Sequence, residues 1–252
     1  MERPTPLPES DTSTSRAPPG HAIYAIGDIH GRRDLLDAML ETIQADAALH
    51  PAARRWLVYL GDYVDRGDDV KGVIDRLIAG PPPGFEQVCL MGNHDAWMLD
   101  FLAEPNAGAG WLMNGGSATL ASYGVRVGHG FGFSRRRLEK AQASLIEALP
   151  PDHRAFLEGL ALMWRAGDYA FVHAGIRPGV SLEAQTDRDL LWIRDAFLDD
   201  VRDFGAIVVH GHTISDAPVV LNNRIGIDTG AFATGRLTCL VLQDADRRFL
   251  QT

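Results

Sequence analysis

Apolar residues fall along this chain in short runs that stop abruptly at glycine. Ala22 to Ile26 is such a run and ends at Gly27-Asp28-Ile29-His30-Gly31. Trp56 to Leu60 ends at Gly61-Asp62-Tyr63-Val64-Asp65-Arg66-Gly67, and Val88 to Met91 ends at Gly92-Asn93-His94-Asp95. Brief apolar runs bounded by glycine read as buried strands. Between them the spacing becomes helical. Leu35, Leu36, Met39, Leu40 and Ile43 mark a helix over Arg33 to Gln44; Val70, Val73, Ile74, Leu77 and Ile78 mark another, stopped by Gly80-Pro81-Pro82-Pro83-Gly84. Trp97 to Ala103 begins a third. This strand, loop, helix rhythm predicts βαβ units in a layered α/β fold.

The second half reads differently. Residues 104–137 form a variable segment, Gly-rich to residue 133, containing Trp111, Asn114-Gly115-Gly116, Tyr123 and Gly128-His129-Gly130-Phe131-Gly132; they read as a short helical excursion and a flexible loop near the site. Leu138 to Leu149 and Arg154 to Leu160 are amphipathic helices. From Leu162 the pattern turns to strands. Leu162–Arg165 with Tyr169–His173, Val219–Leu221 with Arg224–Ile227, and Leu237–Leu242 with Arg247–Gln251 read as three hairpins, and Ala206–His210 as a lone strand ending in Gly211-His212-Thr213. Residues 1–20 are rich in Pro, Ser and Thr and predict a disordered tail, leaving 21–252 as a single domain of two packed sheets.

Composition narrows the classes. The 252 residues are 46% hydrophobic and 23% charged, which suits a globular domain. A formal net charge of -9 argues against a nucleic-acid surface. Cys89 and Cys239 each sit in an apolar run and read as reduced core thiols. No apolar stretch approaches a membrane span, and the N-terminus lacks a secretory h-region, so the expected location is cytoplasmic.

The polar residues that end strands are Asp28, His30, Asp62, Asn93, His94, His173, His210 and His212. Carboxylates and imidazoles without cysteine suit a hard or borderline divalent ion such as manganese, iron or zinc. The set exceeds the needs of one ion. Two ions bridged by a shared Asp is the economical reading, an arrangement used to hydrolyse phosphate esters.

Gly27–Gly31, Gly61–Gly67, Gly92–Asp95, Val172-His173-Ala174-Gly175 and Gly211-His212-Thr213 together resemble the metallophosphoesterases, in their phosphoprotein phosphatase branch with its bacterial and phage members. The motifs keep the family's order. The resemblance implies a calcineurin-like α/β/β/α sandwich of two mixed sheets flanked by helices. It also implies two divalent ions, with Asp28, His30 and His212 on the first, Asn93 and His173 on the second, and Asp62 bridging. His94 would be the general acid, Asp65 its orienting carboxylate, and Arg66 and Arg194 the phosphate-binding arginines. The implied reaction is direct in-line attack by a hydroxide bridging the two ions on a phosphoserine or phosphothreonine protein or peptide, without a phosphoenzyme. Phosphotyrosine is a further candidate.

Each assignment has a plainer counterpart. Asp28 and Asp62 are alternatively ordinary turn residues, but their shared Gly-Asp context favours ligation. His94 is alternatively a ligand, His173 a core histidine, and Arg194 half of a surface ion pair. Period two puts His210 and His212 on one face of an extended strand, and the resemblance selects His212. Asp95 suits a helix start, and Arg135-Arg136-Arg137 a solvated face. Family members often have Pro directly after Gly-His-Thr, where this chain has Ile214. The competing functions are a dinucleoside tetraphosphate hydrolase on the same scaffold, a nuclease, and a catalytically silent metal-binding scaffold. In the dinucleotide relatives the Asp preceding the Arg tends to be absent, and Asp65 is present here.

Overall fold

The computed structural model describes residues 15–126 and 134–252; the Gly128–Gly132 run lies outside them. In chain order the elements are β1 (His21–Ile26), α1 (Arg33–Leu49), β2 (Arg54–Tyr59), α2 (Val70–Ile78), β3 (Glu86–Cys89) and α3 (Asn93–Ala103). A helical stretch follows, with α4 (Gly108–Trp111) and α5 (Ser117–Ser122), then α6 (Arg135–Ala148) and α7 (Pro151–Glu158). The second half contains β4 (Met163–Ala166), β5 (Tyr169–Val172), α8 (Asp187–Trp192), α9 (Asp195–Leu198), β6 (Ile207–His210), β7 (Val219–Val220), β8 (Arg224–Gly226), α10 (Ala231–Thr234), β9 (Thr238–Gln243) and β10 (Asp246–Gln251).

Two mixed sheets form, ordered β10-β9-β1-β2-β3 and β4-β5-β6-β8-β7. β1, β2 and β3 run parallel, as the βαβ reading requires, and β9 adds antiparallel to the free side of β1. In the second sheet β5, β6 and β8 run parallel between antiparallel edges. Strand alternation then sorts the core. Ile23, Ala25, Val58 and Leu240 meet Phe171, Val209 and Ile225 between the sheets. Tyr24, Ile26, Tyr59 and Val241 face the other way, onto Leu36, Met39, Ile43 and Ile74 of the first helices. The outer face of the second sheet packs Val172 and Val208 against Leu190 and Phe197. The expected α/β/β/α layering is therefore the observed one.

Two boundaries differ from expectation. The predicted tail packs before residue 20. Ala17 is buried, its N–H donates to Asp244 O at 2.8 Å, and Arg16 N donates to Asp168 Oδ2 at 2.8 Å. Backbone hydrogen bonding to two loops outweighs the polar composition there. The segment after residue 104 is largely helical through residue 122, because Trp111, Leu112 and Leu120 find apolar partners in the helical core. Cys239 is buried and Cys89 partly buried, both as free thiols. No helix among the described residues is long and apolar enough to cross a membrane.

Candidate active site

The parallel strands of both sheets carry the candidate residues just past their C-terminal ends. Asp28, Asp62 and Asn93 follow β1, β2 and β3; His173 and His212 follow β5 and β6. Among the described non-glycine residues, positive φ occurs at His30, Asp62, Asp65, Arg66, His212 and Asp244. Five of these six lie in the site, so the backbone is held in a costly conformation where the side chains converge. Asp95 anchors this geometry. At the start of α3 it accepts from Gly92 N at 2.9 Å, and it also accepts from Asp62 N at 2.8 Å and Tyr63 N at 3.0 Å. The helix-start residue thus also ties the third loop to the second.

Asp28, His30, Asp62, Asn93, His94, His173 and His212 are all buried. Asp62 is central. Its carboxylate lies 3.4 Å from His30 Nε2 and 3.5 Å from His173 Nε2, and accepts from His94 N at 2.9 Å. Two groups able to hold a metal ion share it: His30, Asp62 and His94, and Asp62, His173 and His212. Asn93 Oδ1 lies 2.9 Å from His173 Nε2 and 2.8 Å from His212 Nδ1. His212 therefore sides with Asn93 and His173, not with the Asp28 and His30 group expected from the resemblance. The cause is the positive φ at His212, which swings its ring across the cleft, while only its backbone N–H reaches Asp28, at 3.1 Å.

The donor set fits cations. His30 Nδ1 donates to Val64 O at 2.7 Å and His173 Nδ1 to Leu60 O at 2.8 Å, which turns each Nε2 lone pair inward. His212 Nε2 is buried without a hydrogen-bond partner. Burial holds His30 down at about 3 and His212 at about 2, and lowers His173, so all three are neutral donors. Burial together with Asp228 and Asp62 pushes Asp28 well up, as expected for acids crowded where a cation would neutralise them. Only small groups fit between these ligands. A Cβ on Gly92 would lie 2.2 Å from Asp62 N, which is backbone and cannot retreat. Gly92→Ala is therefore expected to destabilise the fold by about 1–3 kcal/mol, read as a lowered urea midpoint; an unchanged midpoint would contradict this packing.

His94 differs from the other imidazoles. Its Nδ1 donates to Asp65 Oδ2 at 2.6 Å, and Asp65 accepts further from Thr119 Oγ1 at 2.6 Å and Trp111 Nε1 at 2.8 Å. Burial opposes its charge, but Asp62 and Asp65 outweigh burial and raise its pKa. Arg66 donates from Nη1 to His30 Nε2 at 2.9 Å and from Nη2 to His94 Nε2 at 3.0 Å, its guanidinium 4.6 Å from the Phe232 ring centroid. A cation already stands where two imidazole lone pairs converge. Arg194 is exposed at the rim, 3.5 Å from Thr213 Oγ1.

His210 does not join the cluster; it faces the opposite side of the second sheet, with its ring 5.1 Å from Phe197. Four contributors lie outside the residues singled out from the sequence as site candidates: Trp111, Thr119, Phe232 and Asp228. Asp228 repeats the strand-then-Asp design after Ile225-Gly226-Ile227 and was findable on that signal. It is buried, hydrogen-bonded to Asp28 and raised to about 6 by burial.

A family model described as calcineurin-like phosphoesterase matches residues 21–237. The chain belongs to the calcineurin-like phosphoesterase family. It is a metallophosphoesterase hydrolase by that membership, and its two sheets flanked by helices are this family's fold. Its relatives carry different names. A symmetrical bis(5'-nucleosyl)-tetraphosphatase of Methylococcus capsulatus is 31% identical over 168 residues, 66% of this chain but only 48% of that protein. The chain thus spans about half the length of that relative. Serine/threonine-protein phosphatase 2 of Salmonella typhimurium is 29% identical over 229 residues, 86% of this chain and 90% of that one. A solved metallophosphoesterase from Sphaerobacter thermophilus superposes with a TM-score of 0.51 at 17% identity, covering 92% of this chain and 88% of that one.

Proposed function

We propose that this metallophosphoesterase is a phosphomonoesterase that dephosphorylates phosphoserine or phosphothreonine in proteins. The observation that carries the reading is the 2.6 Å contact of His94 with Asp65, itself braced by Trp111 and Thr119. A leaving serine or threonine alkoxide is nearly as basic as hydroxide, the conjugate base of water with a pKa of about 15.7. Its departure calls for a fixed proton donor. A leaving phosphate of a polyphosphate is a far weaker base, with a second pKa of about 6, and gains little from one.

Asp28 and His30 would hold one divalent ion, Asn93, His173 and His212 the other, with Asp62 between them. Bound there, the ions supply an activated water and neutralise phosphate charge; manganese suits the donor set, as do iron and zinc. Arg66 takes the phosphate oxygens. When it does so, it leaves His94 Nε2, which is then free to carry a proton toward the leaving oxygen. Asp65 holds the ring in line for that transfer. Arg194 meets the phosphate from the opposite rim.

A second reading, dinucleoside tetraphosphate hydrolysis, has its own support. A cavity of about 790 Å³ beside the site is lined by Trp97, Leu162, Leu191 and Trp192. Trp97 stands 6.0 Å from His94 and 5.2 Å from Trp192, an aromatic wall on which a nucleobase could stack. Steady-state hydrolysis of a phosphoserine peptide, a phosphotyrosine peptide and diadenosine tetraphosphate, by metal-stripped protein reloaded with manganese, separates the two. The expected result is the highest kcat/KM on phosphoserine; preference for the dinucleotide would transfer the chain to the second reading.

A further inference from the structure

A second polar cluster lies on the outer face of the second sheet. Strand alternation sends Val209 and Ile225 inward, so His210 and Arg224 point outward toward Phe197 and α9. There a cavity of about 250 Å³ is lined by Leu198, Asp199, His210, Thr213, Ser215 and Arg224. Arg224 is only 7% exposed and His210 3%. One guanidinium nitrogen of Arg224, Nη2, donates to Leu198 O, but its Nε and Nη1 are buried without a hydrogen-bond partner, as is His210 Nε2. The acid whose field reaches Arg224 is Asp199, an exposed residue at the cavity wall.

Buried guanidinium donors without acceptors are costly. That cost is removed by an occupant that offers acceptor oxygens. We propose that this cavity is an anion site, separate from the metal centre, that takes a phosphate-class oxyanion against Arg224. The choice within oxyanions follows from His210. Its Nδ1 lies 3.0 Å from Gly211 O and donates to it, so Nε2 presents a lone pair. Inorganic hydrogen phosphate carries an O–H that can donate to that lone pair, as does a phosphomonoester monoanion, whereas sulfate carries none at neutral pH. Thr213 and Ser215 add hydroxyls to the wall. Thr213 also accepts from Arg194 Nη1 at 3.5 Å, which places the cavity next to the rim of the active site. The inference is independent of which phosphate ester the active site hydrolyses.

The test is equilibrium dialysis of radiolabelled inorganic phosphate against the full chain stripped of metal. About one phosphate per chain is expected. Arg224→Gln should weaken its binding about tenfold or more, Arg224→Lys should retain part of it, and excess sulfate should compete poorly. Circular dichroism of each variant reports folding; Arg66→Gln, assayed beside them, removes the active-site phosphate position, and the uptake it retains decides the question if an Arg224 variant fails to fold. No phosphate uptake by the wild type, or uptake unchanged in well-folded Arg224→Gln, would overturn the proposal. Kinetics then identify the source of the anion. If released phosphate is the occupant, Arg224→Gln changes inhibition of aryl phosphate turnover by added phosphate. If the occupant is a second phosphoryl group of the substrate, the variant raises KM for a polyphosphate ester and leaves the aryl phosphate unchanged.

Discussion

Replacing His94 with asparagine is expected to slow hydrolysis of a phosphoserine peptide by about 10²–10⁴-fold, the scale of a general acid. The same change should slow p-nitrophenyl phosphate much less, because its phenolate leaves without a proton. The asymmetry separates the acid from a ligand: His94 belongs geometrically to a group with His30 and Asp62, and loss of a ligand would slow both substrates alike. The His94→Asn change keeps the backbone donor to Asp62, so the metal positions should survive. Trp111→Phe removes one hydrogen bond to Asp65 and should show the same substrate asymmetry in weaker form. Equal losses on both esters, or near-normal turnover of the peptide, would sink the role given to His94.

The second large effect concerns Asp62. Its carboxylate lies within reach of His30, His173 and the His94 amide together. Asp62→Asn should therefore cost metal as well as rate. Bound metal, counted by emission spectrometry after dialysis, should fall from about two ions per chain to one or none, and turnover on the order of 10³-fold, as several kcal/mol of charge stabilisation disappear. A chelator should abolish activity in the unaltered chain, and manganese should restore it. An Asp62→Asn variant with both ions still bound would show that Asp62 does not link the positions.

Most of the site was legible because its residues declare themselves locally. A buried strand broken by Gly-Asp or Gly-Asn needs only a few adjacent residues to be recognised, and the strand ends of a parallel sheet must lie side by side. What stayed hidden depends on distance or on backbone twist. Trp111 and Thr119 reach Asp65 from a Gly-rich stretch whose helices exist only because the core receives them. Phe232 stacks on Arg66 across more than half the chain. The ring of His212 crosses to Asn93 through a positive φ that no side-chain pattern encodes, and the same turn separates it from His210. Likewise the pairing of β9 with β1 joins the two ends of the domain and leaves no local trace.

That last pairing bears on how the protein is made. A chain still emerging from the ribosome has synthesised every expected metal ligand once residue 212 is out, yet β1 then still lacks one of its two neighbours. Ile23, Tyr24 and Ala25 would present an open, apolar strand edge until β9 arrives, a surface prone to pairing with other chains. Metal uptake before that moment would load a half-built cleft. The strand of residues 238–243 thus acts as a clasp: it covers the free edge of the sheet that carries Asp28, and it is translated only after every expected metal ligand.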